Sequence, residues 1–258
     1  MARRFMAMAL HRNLLHRDTA GAVETRSAQD LVAAALDDIA LKSTRGFHAL
    51  AVTFDIDSAF PSVKTDALEL VLSQMGFPQS TVDLAVSFCR NRTFRFRWAQ
   101  MTFTSNNGLP QGSPWSPILF LLVTAPLPRT DHTFQYADDI CQITFAKNPA
   151  NLGKRATRRA GALRTAAAKL GLRLDEKKTE AQLFRRSGRK STKNWNPDGV
   201  TVRVGNSTIK PGKITWVGCR LHFNDHMSHR AERAHKTIGL LQRTNNTIKG
   251  IPPVRPKT

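Results

Sequence analysis

Three acids sit where strand-like runs end or turn, and that placement constrains the fold of this chain more than any other feature. Ala49 to Phe54 is a short apolar run with β-branched members that leads straight into Asp55 and Asp57. Thr133 to Tyr136 and Ile140 to Phe145 are two further strand-like runs flanking Ala137, Asp138 and Asp139, the layout of a hairpin. A carboxylate at the end of a buried strand is costly unless water, a partner or a metal compensates it. With the Asp55 strand antiparallel beside the hairpin, the side chains come within about 5 Å of one another. Three carboxylates that close repel and call for a cation. Hard oxygen donors select Mg²⁺, which keeps several waters and shares its other positions with substrate phosphates. Two such ions about 3.5–4 Å apart stabilise the attacking and leaving oxygens of an in-line phosphoryl transfer. Taken singly, each segment reads as ordinary turn chemistry, since Asp-Asp pairs are common in turns.

The remaining pattern predicts a mixed chain. Ser27 to Leu41 reads as a helix capped by Ser27, with Leu31, Ala35 and Ile39 on one face. Leu68, Val71, Leu72 and Met75 mark a second helix that stops at Gly76, and Pro78 opens a third with Val82, Ala85, Val86 and Cys89 inward. Thr93 to Thr104 alternates as two strands. Asn106 to Pro117 is a Gly/Pro/Ser loop before an apolar helix, Ile118 to Ala125, and Leu152 to Leu170 is a long helix with a basic outer face. Leu172–Leu174, Ala181–Phe184, Val200–Val204 and Ile214–Leu221 read as strands, Arg185 to Pro197 as a basic loop, and His226 to Ile248 as a last helix. Strands and helices mix without regular alternation, so the class is α+β.

Charge bears on partners. Lys+Arg 39 against Asp+Glu 19 leaves +20 over 258 residues, an excess that a polyanion such as nucleic acid balances through counterion release. Other basic proteins share that balance. Lys154, Arg155, Arg158, Arg159, Arg185, Arg186, Arg189 and Lys190 are available to follow a phosphate backbone or simply to form a solvated cationic face. Cys89, Cys141 and Cys219 form no C-x-x-C pair, which argues against a disulfide framework or a zinc site and fits a reducing, intracellular compartment. No apolar run approaches the ~20 residues of a membrane span, so no membrane partner is expected. Met1 to Arg17 is acid-free and reads as a basic lead-in, with a mitochondrial presequence as the weaker reading.

Three segments in order, Phe54-Asp55-Ile56-Asp57-Ser58-Ala59-Phe60-Pro61-Ser62-Val63, then Gly108-Leu109-Pro110-Gln111-Gly112-Ser113-Pro114-Trp115-Ser116-Pro117-Ile118-Leu119-Phe120, then Tyr136-Ala137-Asp138-Asp139, resemble successive motifs of reverse transcriptases. Their style is similar to non-LTR (LINE-like) retrotransposons, with fungal elements suggested. Gly171 to Glu180 resembles the family's following motif, and Ile214 to Cys219 its primer-grip turn. The resemblance runs from about Arg12 to Pro253. It implies a right-hand polymerase palm with an antiparallel sheet packed on helices: 1–48 as partial fingers and basic lead-in, 49–222 as palm with inserted fingers and basic-loop segments, and 223–258 as the start of the thumb or a C-terminal helix. It also implies an RNA-directed DNA polymerase acting with two Mg²⁺ ions, replaceable by Mn²⁺, on an RNA template, a DNA primer and deoxynucleoside triphosphates.

Carried over by motif, Asp55, Asp138 and Asp139 are the metal ligands, helped by the Ile56 carbonyl. Phe60 is the steric gate against a ribose 2′-hydroxyl, and Gln111 and Gly112 line the nucleotide and template pocket. Lys178 is the acid that protonates departing pyrophosphate, and Trp216 and Gly218 hold the primer end. Without the resemblance, Phe60 reads as core packing, Lys178 as a surface lysine and Trp216 as a sheet anchor. The family's Asn-x-Arg-Pro-Ile-like fingers segment has no match here, and Ala20 to Ser27 is a weak counterpart of its Gly-Phe-Arg-x-Gly-Arg-Ser-like stretch. Fingers and thumb are therefore expected to be truncated, with endonuclease activity left to another domain or chain. The alternative is an inactive nucleic-acid-binding remnant. Nucleus and cytoplasm are the compartments the family implies.

Overall fold

The computed structural model describes residues 2–96, 98, 101–186 and 199–221. The last predicted helix, the 223–258 segment, Arg189, Lys190 and most of the Arg185 to Pro197 loop lie outside the described residues. In chain order the elements are α1 (Ala2–His11), β1 (Thr19–Ala20), α2 (Ala28–Thr44), β2 (His48–Phe54), α3 (Ala59–Ser62), α4 (Thr65–Gln74) and α5 (Gln79–Cys89). There follow β3 (Arg92–Phe96), β4 (Met101–Ser105), α6 (Ser116–Thr124), β5 (Thr133–Tyr136), β6 (Asp139–Ala146) and α7 (Ala150–Lys169). The described part closes with β7 (Glu180–Phe184), β8 (Val202–Val204), β9 (Ser207–Ile209), β10 (Thr215–Trp216) and β11 (Cys219–Arg220).

The main sheet has the order β1-β5-β6-β2-β7. All its pairings are antiparallel except β1 with β5. β2 lies between two neighbours and is buried along its whole length, polar His48 and Thr53 included, which is why Ala49 to Val52 is a continuous apolar run rather than an alternating one. Its alternate residues feed two cores. Leu50, Val52 and Phe54 join the cluster built with α1, α4, α5, α6 and α7, while Ala49 and Ala51 join Leu31, Ala35 and Ile39 of α2 and Trp216 of β10 on the other face. α6 is apolar on every side and runs through the first cluster, with Leu119 to Val123 almost wholly buried.

The Ser27 cap forms as the sequence predicts. Its hydroxyl accepts from Asp30 N while Asp30 accepts from Ser27 N, a reciprocal capping box. Four expectations change. The basic lead-in is a helix, because Phe5, Met6 and Ala9 fall on one face and pack into the core. Leu172 to Leu174 contributes a single bridge, Leu174 to Ile56, rather than a strand. The predicted Val200–Val204 strand begins at Val202 and gains a partner, β9. Ile214 to Leu221 is not one strand but the hairpin β10–β11, turned at Val217 and Gly218, both with positive φ.

Candidate active site

Register brings the acids together. Phe54 pairs with Ile140 and Tyr136 with Asp139, so Asp55 leaves β2 beside the point where Asp139 enters β6. Beyond β2 the chain is held by residues 173–175. Asp57 N donates to Arg173 O (2.8 Å) and Asp175 N to Asp55 O (2.9 Å). These bonds flank the Ile56–Leu174 bridge and leave the Ile56 carbonyl out of it.

The Ala137–Asp138 turn is held from three sides. Ala137 has φ 50, and its N–H donates to Ala20 O at 3.0 Å. Buried Gln135 donates to Ala137 O (2.6 Å) and to Thr124 Oγ1 (3.0 Å), and accepts from Arg129. Gly21, at φ +102, lies so close that a Cβ there would stand 2.6 Å from Ala137 N. No side chain fits. The Ala20 to Ser27 stretch, a weak motif counterpart by sequence, is therefore the seat of the Ala137–Asp138 turn, and its Gly21 is the signal that marks it.

Electrostatics follow from this crowding. Burial, then the neighbouring Asp138 and Asp55, push the Asp139 carboxyl up to about 6. Burial also raises Asp138, with Asp55 adding to it. Lys178 Nζ donates to Asp55 Oδ2 at 2.7 Å and stands 4.0 Å from Asp175, and the Asp55 bond holds the ammonium above its ordinary range. Asp57 turns aside into a pair with Arg173, whose hydrogen bond lowers its carboxyl. The donor chemistry fits a hard divalent cation: oxygen donors only, with two part-buried carboxylates whose protons are held by burial and mutual repulsion. As they stand, no three His, Cys, Asp or Glu among the described residues converge closely enough to hold an ion.

Three hollows divide the predicted site residues. A cavity of about 300 Å³ is lined by Asp55, Ile56, Phe60, Gln111, Asp138 and Lys178, together with Ser58, Ala59 and Pro61. It adjoins one of about 440 Å³ where Phe60 and Gln111 meet Gly112. Leu109 N donates to Phe60 O (2.8 Å) and Gly108 N to Val63 O (2.7 Å), which fastens the loop to α3. The Phe60 ring leans on Phe120, centroids 5.2 Å apart, and is only partly buried. Gly112 is required by its φ of +88 and not by crowding, since a Cβ would meet open space. Asp139 opens instead onto a hollow of about 160 Å³ shared with Asp55, Lys178, Glu180 and Trp216. Trp216 is almost wholly buried against Phe134, and its indole N–H has no hydrogen-bond partner among the described residues. Gly218 lines none of the three. A further hollow of about 1110 Å³ beside α7 shares none of these carboxylates. Of the basic residues, Arg159 points inward, donating to Ile143 O (2.7 Å) and to Thr130, Thr133 and Thr144 hydroxyls, so it braces the sheet.

The family model described as reverse transcriptase (RNA-dependent DNA polymerase) matches residues 2–221, so α1 falls inside the match. Similar solved structures include apo telomerase from Candida tropicalis, at 13% identity and TM-score 0.54, over 80% of this chain and 40% of that one. Telomerase from Candida albicans in complex with a TWJ fragment of telomeric RNA aligns at 11% identity and TM-score 0.55, over 85% and 35%. At such identities the likeness is one of fold, a sheet packed on helices, and the chain spans about 35–40% of those telomerase chains. No curated protein matches its sequence.

Proposed function

Because this chain belongs to the reverse transcriptase (RNA-dependent DNA polymerase) family, we propose that it is an RNA-directed DNA polymerase core that adds deoxynucleotides to a DNA primer on an RNA template. The observation that carries this is the cavity of about 300 Å³ lined together by Asp55, Asp138, Phe60, Gln111 and Lys178. The inactive remnant is not favoured, because a remnant has no need to keep these groups on one cavity. Asp55, Asp138, Asp139 and the Ile56 carbonyl would hold divalent cations, Mg²⁺ or in its place Mn²⁺. When bound, such ions supply charge stabilisation for the attacking and leaving oxygens of nucleotidyl transfer.

The chain's own residues do the rest. Phe60, braced by Phe120, presents its ring to the cavity and bars a 2′-hydroxyl. Gln111 and Gly112 border the nucleotide and template path. Asp139 and Trp216 border the same hollow, which supports a primer end held on that side by Trp216, with Gly218 shaping the turn that follows it. Lys178 remains protonated at neutral pH through its bond to Asp55 and delivers a proton to departing pyrophosphate. In this reading residues 1–48 supply fingers and 49–222 the palm. The Phe54–Val63, Gly108–Phe120 and Tyr136–Asp139 motifs favour a non-LTR, LINE-like branch of fungal style, working in nucleus and cytoplasm. Among the described residues no helix is long and apolar enough to cross a membrane.

RNA-templated primer extension by the purified chain in Mg²⁺ tests the proposal, and a chain that binds template-primer yet adds no deoxynucleotide refutes it. Two variants refine it. Phe60→Val is expected to raise ribonucleotide incorporation at least tenfold relative to deoxynucleotide, and an unchanged ratio removes the gate. Lys178→Leu is expected to slow chemistry by roughly 10²-fold, the scale of one general acid. Single-turnover rates across pH should then lose their alkaline fall; a retained fall assigns the proton to another group.

A further inference from the structure

The β3–β4 hairpin is the most exposed apolar feature of the described structure. Trp98 at its tip is 92% exposed, Met101 52%, Phe103 49% and Phe94 44%. Soluble surfaces seldom leave so many large apolar groups contiguous without a use. Phe94 pairs with Phe103 and Phe96 with Met101, so Phe94, Met101 and Phe103 share one face, while Thr93, Arg95, Thr102 and Thr104 take the other. Arg92 braces the base of the hairpin. Its guanidinium lies over the Phe94 ring at 5.4 Å and donates to the carbonyls of Cys89, Asn107 and Gly108. Gly108 leads directly into the Leu109 to Gly112 loop of the site, so hairpin and site loop are fastened together.

The surrounding charge selects the occupant. No Asp or Glu occurs between Asp83 and Asp131, and Arg95 is exposed with no ion pair among the described residues. A protein-docking patch has no reason to exclude acids over so long a stretch, whereas a polyanion does. We propose that this hairpin is a stacking arm for single-stranded nucleic acid, taking bases on Trp98 and Phe94, with Arg95 on the opposite face drawing the phosphate backbone where the strand rounds the hairpin edge. The inference rests on the polymerase reading only for its location: a template strand leaving the Gln111–Gly112 loop passes the hairpin base.

Fluorescence anisotropy of labelled single-stranded RNA with the full chain tests it. Trp98→Ala and Phe94→Ala are each expected to weaken binding about tenfold, the scale of one stacked base. Trp98→Phe should retain most affinity, and circular dichroism should show every variant folded. Arg95→Gln should lower the slope of log affinity against log salt by about one. Wild-type affinity in both alanine variants overturns the proposal, and so does a loss of self-association in ultracentrifugation without change in RNA affinity, which assigns the patch to a second copy. RNA binding that depends on Trp98 in a chain that extends no primer upholds the arm and sinks the polymerase reading. Extension with unchanged RNA affinity does the reverse.

Discussion

Asp139→Asn is expected to lower RNA-templated extension by roughly 10³-fold, about 4 kcal/mol of transition-state stabilisation, while making the chain more stable in chelator at neutral pH. The two effects share one cause. Asp139 enters β6 from a part-buried turn beside Asp138 and Asp55, and burial followed by those charges raises its carboxyl from 3.8 to about 6. Between those values the folded chain holds a proton that the unfolded chain has released, so stability falls as pH rises through that window. At pH 7 the ionised group costs at most roughly 3 kcal/mol, less what solvent screens. Asparagine removes that cost along with the charge that would hold a cation. The melting temperature of Asp139→Asn should therefore exceed wild type at pH 7 and converge with it below about pH 4, where both side chains are neutral. Equal melting curves at pH 7 would show that Asp139 carries no such penalty. Undiminished extension would remove it from the site.

Gly21→Val is expected to cost several kcal/mol, and to disable the site without touching a carboxylate. The new side chain would take a φ of +102 and place its Cβ 2.6 Å from Ala137 N and 3.0 Å from Ala137 Cβ. Backbone strain alone costs on the order of 1–3 kcal/mol, and the clash adds to it because the neighbour is main chain and cannot swing away. Relief requires either that β1 leave the sheet edge, breaking Ala137 N to Ala20 O, or that the Ala137–Asp138 turn shift. Either move displaces Asp138 and Asp139. Urea unfolding should show a much lower midpoint, and extension at permissive temperature should fall with it. A wild-type midpoint would mean that β1 does not seat this turn.

Much of the fold was legible because its core elements carry long, regular patterns. β2, β5 and β6 were readable as strands, and the inward faces of α2, α5 and α7 as helical stripes, since each repeats its apolar spacing over several residues. What escaped has little or no period. β1 is two residues long, β9 is three residues of polar and apolar mixture, and Val217 takes a positive φ that its β-branched side chain does not advertise. In α1 the basic residues Arg3, Arg4, His11 and Arg12 mask the inward spacing of Phe5, Met6 and Ala9. At the site, residue types marked the carboxylates, Phe60 and Gln111. They could not reveal the Lys178–Asp55 bond, the withdrawal of Asp57 to Arg173, or the Gln135 brace, because each joins residues or roles that only tertiary placement defines. The division of Asp138 and Asp139 between two hollows is likewise a matter of side-chain direction along the strand.

The most direct measurement is electron paramagnetic resonance of Mn²⁺ titrated into the chain with template-primer and a deoxynucleoside triphosphate. Saturable loss of the free Mn²⁺ signal beyond that caused by nucleotide and template-primer alone, abolished by Asp55→Asn and by Asp139→Asn, is the predicted result. Equal Mn²⁺ uptake by wild type and both variants would contradict the claim that these acids, joined by the register of β2 and β6, form the metal-holding centre.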